Sequence, residues 1–144
     1  MKLFADSSVL LAAAGSDTGS SNAIFSLAQE QSWSILSSPY AFEETERNLA
    51  KISPAAEARW QILRSQLPLV DDVFSLDRPS PLLAAKDRPI LFTALAYADV
   101  LLTLDKADFA ILLGTAFYGL PVLLPYDFLQ RERDAGRLES LKNS

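Results

Sequence analysis

The chain has 144 residues, 49% hydrophobic and 22% charged, with thirteen Lys and Arg against eighteen Asp and Glu and a net charge of −5. This excludes a disordered chain and suits one domain, with a core that buries roughly 68–70% of the surface the unfolded chain exposes. The absence of cysteine and histidine excludes disulfide scaffolds, zinc–thiolate sites, thiol nucleophiles and the Ser-His-Asp triad, and the negative charge excludes gripping nucleic acid by bulk charge.

In chain order, Lys2 to Ala5 is a short apolar run that ends at Asp6, a helix N-cap type, ahead of a helix over Ser7 to Ala14. A polar turn leads into an amphipathic helix from Ser21 to Gln31. Trp33 to Leu36 reads as a buried strand. Ser38-Pro39 opens a helix to about Lys51, with Pro in its first turn, and Pro54 opens another over Ala55 to Ser65. Leu67 to Val70 reads as a strand, and residues 75–87 as a proline-bearing connection. Asp87 is placed to cap a helix over Arg88 to Tyr97. Val100 to Thr103 is a strand, Ala107 to Leu113 a short helix, Pro121 to Leu124 the last strand and Tyr126 to Asp134 the last helix. One domain over residues 1–136 is expected, followed by a polar, frayed tail over 137–144.

Two segments imitate membrane signals. The first sixteen residues are similar to a weak signal peptide, but Asp6, Ser7 and Ser8 break the apolar stretch. Phe109 to Tyr126 is uncharged, yet Gly114, Gly119, Pro121 and Pro125 cut it into short elements. A cytoplasmic protein with no membrane association is expected.

Short apolar strands alternating with helices indicate an α/β fold with a parallel sheet covered on both faces. Such sheets build their sites at the carboxyl ends of the strands, where the strand order reverses. Asp6 and Asp105 both follow a strand, and Asp87 opens a helix. Capping explains each alone. Glu44 instead lies inside a helix, in an acidic cluster with Glu43 and Glu46, and helical spacing does not choose between Glu43 and Glu44 as the inward acid. Gathered carboxylates repel one another and are costly to desolvate, and a divalent cation removes that cost. Oxygen ligands alone suit Mg²⁺ or Mn²⁺, which polarise a phosphoryl oxygen and lower the pKa of bound water.

These residues resemble the PIN domain family, metal-dependent ribonucleases that include the toxins of virulence-associated toxin–antitoxin pairs. The resemblance covers nearly the whole chain in order. It runs through Leu3-Phe4-Ala5-Asp6-Ser7-Ser8, the segment Ser38 to Leu49 with its acid on Glu44, Lys86-Asp87-Arg88-Pro89, the run Ala98 to Phe109, and Gly119 to Leu123. It implies a three-layer α/β/α sandwich with a parallel sheet of about five strands, and a single-stranded RNA endonuclease using Mg²⁺ or Mn²⁺. It implies Asp6, Glu44, Asp87 and Asp105 as the catalytic, metal-holding set, with Asp108 as an extra acid and Ser7, Ser8 and Thr103 in support. Arg47, Lys51 and Lys106 are candidates to position the RNA strand. A homodimer and an antitoxin partner are implied as well, with Ile52, Trp60, Ile62 and Leu63 offering either an apolar patch or core. The alternative is a PIN-like binding or regulatory module without turnover.

Overall fold

Alternate side chains of the first strand enter two different cores, and this sets the layers. The computed structural model describes residues 1–80 and 84–138. In β1 (Lys2–Ala5), Leu3 and Ala5 face one core and Phe4 the other. β2 (Ser34–Leu36), β3 (Val100–Leu102) and β5 (Leu120–Leu123) divide their side chains in the same way. The sheet has five strands in the order β2-β1-β3-β5-β4, where β4 is Ala116–Phe117. β1 pairs in parallel with β2 and β3, and β3 with β5.

The Leu3 face is covered by α1 (Ser7–Gly15), α2 (Ser20–Gln31), α4 (Pro54–Gln66) and α6 (Pro125–Asp134), which contribute Leu10, Ile24, Trp60 and Phe128. The Phe4 face is covered by α5 (Arg88–Tyr97), with Ile90 and Leu91, and by Phe109 and Leu112 of a following loop. α3 (Pro39–Leu49) touches both cores, Phe42 the first and Ala41 the second. The result is a three-layer α/β/α sandwich. From β1 the chain runs to β2 on one side, then crosses to β3 on the other, so the strand order reverses between the carboxyl ends of β1 and β3.

Three local expectations are corrected. Leu67 to Val70 is not a strand. It makes one parallel bridge, Ser37 to Leu69, with Val70 N–H donating to the Ser37 carbonyl. Pro68 has no N–H to extend that ladder. Residues 107–113 form successive turns rather than a helix, with a mixture of three- and four-residue hydrogen bonds around Phe109 that ends at Gly114. The edge strand β4 was not anticipated. It pairs antiparallel with β5 through a two-residue loop, Tyr118-Gly119, in which both residues have positive φ, the type I′ hairpin geometry. Tyr118 is held there by its hydroxyl, which donates to the Pro79 carbonyl, and by the Arg78 guanidinium 5.2 Å from its ring centroid.

After the exposed stretch 134–137, Leu138 is buried in the first core. Residues 139–144 of the polar tail, and 81–83 of the proline-bearing connection, lie outside the described residues. Among the described residues, no helix is long and apolar enough to cross a membrane.

Candidate metal centre

The reversal point between β1 and β3 is lined with hydroxyls and carboxylates. The sheet ladder continues one residue past β1, with Asp6 N–H donating to the Leu102 carbonyl at 3.1 Å, so Asp6 lies beside Thr103. Asp6 Oδ1 accepts from Ser7 N–H at 2.7 Å and caps α1. Asp6 Oδ2 accepts from the hydroxyls of Thr103, at 2.8 Å, and Ser8, at 3.0 Å. Each hydroxyl in turn accepts a backbone N–H of the next loop, Ser8 from Leu104 at 2.9 Å and Thr103 from Asp105 at 3.1 Å. The carboxylate of Asp6 is therefore tied to the loop that carries Asp105. Burial pushes the Asp6 pKa up, opposed by the Thr103 and Ser8 hydroxyls.

Asp105 caps the turn that follows it, its Oδ1 accepting from Asp108 N–H at 2.9 Å. The turn brings Asp108 back, so that one carboxylate oxygen from each of Asp87, Asp105 and Asp108 lies within 4.8 Å of the others. Lys86 Nζ meets Asp108 Oδ2 at 3.1 Å and offsets part of this charge. A hydrogen bond with Asp105, and then Lys86, hold the Asp108 pKa below its usual value.

Asp87 departs from its expected role. It stands at the N-terminus of α5, yet its side chain makes no capping hydrogen bond, and its backbone there is already helical. Its carboxylate faces the cluster instead. Oδ2 is buried and has no hydrogen-bond partner. Burial first, then the Asp108 charge, push its pKa up to about 6. A buried carboxylate oxygen without a donor is costly unless a cation meets it. Together with an all-oxygen donor set, that orphaned atom fits a hard divalent ion.

Glu44 approaches from α3. It is half-buried while Glu43 is exposed. Burial, followed by the nearby charge of Asp6, raises its pKa, and Asp87 adds to the effect. Asp6 and Glu44 are thus coupled electrostatically to the cluster without belonging to the 4.8 Å set. Arg47 is exposed on the same helix and acts on the Glu44 carboxyl. Lys51 Nζ donates to Asn48 Oδ1, and Lys106 is exposed beside Asp105. Of the apolar residues on the middle helices, Trp60 is fully buried and Leu63 half-buried, whereas Ile52 and Ile62 are exposed.

Sequence reasoning overlooked Lys86, whose only signal is its position before Asp87, and Asp72, whose Oδ1 accepts from Tyr40 N–H at the start of α3. Tyr40 also sits by the acids: its hydroxyl donates to the Lys86 carbonyl at 2.7 Å, and burial followed by the Glu44 charge raises its pKa.

No family model and no curated protein sequence matches the chain. Among solved structures, it is similar to a chain in the crystal structure of VapBC2 from Rickettsia felis bound to a DNA fragment from their promoter. The TM-score is 0.61 at 17% identity, over 85% of this chain and 97% of that one. The likeness is one of fold, and the sandwich described above is PIN-like.

Proposed function

We propose that this chain is a Mg²⁺- or Mn²⁺-dependent endoribonuclease that hydrolyses phosphodiesters of single-stranded RNA, acting as the toxin of a toxin–antitoxin pair. The observation that carries the reading is the unpartnered, buried Asp87 Oδ2 within the Asp87, Asp105 and Asp108 cluster at the sheet's reversal point. Asp6, Glu44, Asp87 and Asp105 would hold the cation, with Asp108 as a further acid. The bound ion supplies Lewis-acid activation of water and charge stabilisation at the scissile phosphate.

The chain's own groups do the rest. Ser8 and Thr103 fix the Asp6 carboxylate through two donated hydrogen bonds, and Ser7 fixes its other oxygen. Glu44 joins the same donor set from α3, where it is half-exposed. Water oxygen bonds to phosphorus as the ester P–O bond breaks in line; water releases a proton to solvent and the departing oxygen takes one from solvent, leaving a phosphate on one RNA end and a hydroxyl on the other. Arg47, Lys51 and Lys106 supply the positive charge that positions the strand. The likeness to a chain of VapBC2 supports a protein partner of the antitoxin kind. Exposed Ile52 and Ile62 offer apolar surface to a second copy of the chain.

The test is cleavage of an end-labelled single-stranded RNA by pure protein in EDTA, Mg²⁺ and Mn²⁺, with Asp6→Asn as control. Metal-dependent cutting that vanishes in Asp6→Asn is expected. Equal cutting by that variant overturns the site. RNA binding without cutting in any arm overturns the enzyme and favours the inactive module.

A further inference from the structure

Asp105 divides two surfaces of one loop. The extended segment after β3 turns Asp105 to the acidic cluster, while its neighbours Leu104 and Lys106 line a separate cleft of about 480 Å³. It is also lined by Tyr126, at the start of α6, by Ser16 and Thr18 of the α1–α2 turn, and by Ser20 at the start of α2. Among the described residues no carboxylate lines it, although the chain is acidic overall, and Lys106 is the one lining cation among them. Tyr126 is 61% exposed, so a large aromatic face is left to solvent beside a lysine.

We propose that this cleft is a nucleotide subsite, holding the base and phosphate of the RNA residue next to the scissile bond. The inference rests on the nuclease reading and adds the element that reading lacks, a surface outside the acids that grips the strand. Base stacking on an exposed aromatic ring is tolerant of sequence, and a lysine at the same site meets the phosphate. The cleft volume lies within the range of small-molecule sites, large enough for one nucleotide. α2 begins at the cleft without a side-chain cap, and the backbone N–H groups of Ser20 and Ser21 add donors of the sign a phosphate needs. Leu104 and Lys106 flank Asp105 in the chain, so the cleft and the acidic cluster share one loop.

The test uses a fluorescent single-stranded RNA with Asp6→Asn protein in EDTA, where nothing is cut, and compares Tyr126→Ala, Tyr126→Trp and Lys106→Gln in that background. Both side chains are exposed, so the substitutions leave the core intact. Tyr126→Ala is expected to weaken binding at least about fivefold, the lower end of a lost stacking contact. Tyr126→Trp restores the binding, and Lys106→Gln flattens its salt dependence. In cleavage-competent protein, Tyr126→Ala raises KM more than it lowers kcat. Binding within twofold of the parent for both Tyr126→Ala and Lys106→Gln overturns the subsite, even if the parent cuts RNA. Tyr126-dependent binding by a parent that never cuts upholds the subsite and overturns the nuclease. A parent that binds no RNA in EDTA overturns the subsite, and cleavage in Mg²⁺ or Mn²⁺ then decides the nuclease separately.

Discussion

Thr103 Oγ1 donates to Asp6 Oδ2 at 2.8 Å and accepts Asp105 N–H at 3.1 Å, so one buried hydroxyl joins an acid after β1 to an acid after β3. Two acids nearly a hundred residues apart are held in register by a group that adds no charge. Thr103→Val keeps the shape and removes both bonds. It leaves the part-buried Asp105 N–H and the buried Asp6 Oδ2 each short of a partner, and a loss of about 1–3 kcal/mol is expected, read as a drop of several degrees in Tm. The hydroxyl favours ionised Asp6, so the loss is larger at pH 8 than at pH 4. Thr103→Ser restores most of it. Equal losses at both pH values would show that Asp6 is not the group Thr103 serves.

Asp87→Asn separates a site acid from a structural one. Replacing Asp87 removes a negative charge that burial and the Asp108 charge both disfavour. In EDTA at pH 7.5, the variant is expected to be at least as stable as the parent, by up to about 2 kcal/mol. A Mn²⁺-induced stabilisation of about 2.7 kcal/mol at a hundredfold excess over Kd, read as a rise in Tm, is expected in the parent and lost in the variant. Thermal unfolding with and without Mn²⁺ reads both. A variant that is less stable in EDTA and keeps its metal response would remove Asp87 from the site.

Much of the frame was legible because apolar runs and punctuating residues agree. β1 and the start of α1 follow from an apolar run ending at Asp6, and the starts of α3 and α4 from Ser38-Pro39 and from Pro54. What failed depended on contacts distant in sequence. Asp87 looks like a cap, but the charge that makes it more than one belongs to Asp108, which a run of turns brings to it. Residues 107–113 have helix-forming composition, yet Asp105 caps a turn and Gly114 gives its N–H to Val122, which draws the chain into the sheet edge. β4 is two residues long and exists through Tyr118-Gly119, a pair too short to carry a periodic pattern. Glu44 is half-buried and Glu43 exposed, and the charge Glu44 feels from Asp6 lies on a different element, which helical spacing does not show.

Metal-free stability should fall as pH rises through the weakly acidic range. The Asp87 pKa is raised from 3.8 to about 6, so the folded state holds this proton more tightly than the unfolded state. The contribution of Asp87 is most favourable below about pH 4, declines as pH rises to about 6, and is flat above. Asp6 and Glu44, also raised, act in the same direction. For Asp87 the span is on the order of 2–3 kcal/mol. It is read as the difference in unfolding free energy between the parent and Asp87→Asn, in EDTA, from pH 4 to pH 8. A difference that does not vary with pH would mean that this carboxyl is not held protonated in the folded chain.

Trp60 and Ile62 lie two residues apart on α4 and read alike in sequence, but the structure gives them opposite work. Trp60 is fully buried, edge-on to Phe42 at 5.0 Å, whereas Ile62 is 62% exposed. Trp60→Ala should cost about 3–5 kcal/mol by opening a cavity in the first core. Ile62→Ser should change monomer stability by no more than about 0.5 kcal/mol. If Ile62 meets a second copy, the parent's Tm rises with protein concentration and that of Ile62→Ser does not. A dilution series of melts, with sedimentation at the same concentrations, separates the two roles. A concentration-dependent Tm in both proteins would move the contact between copies away from this face of α4.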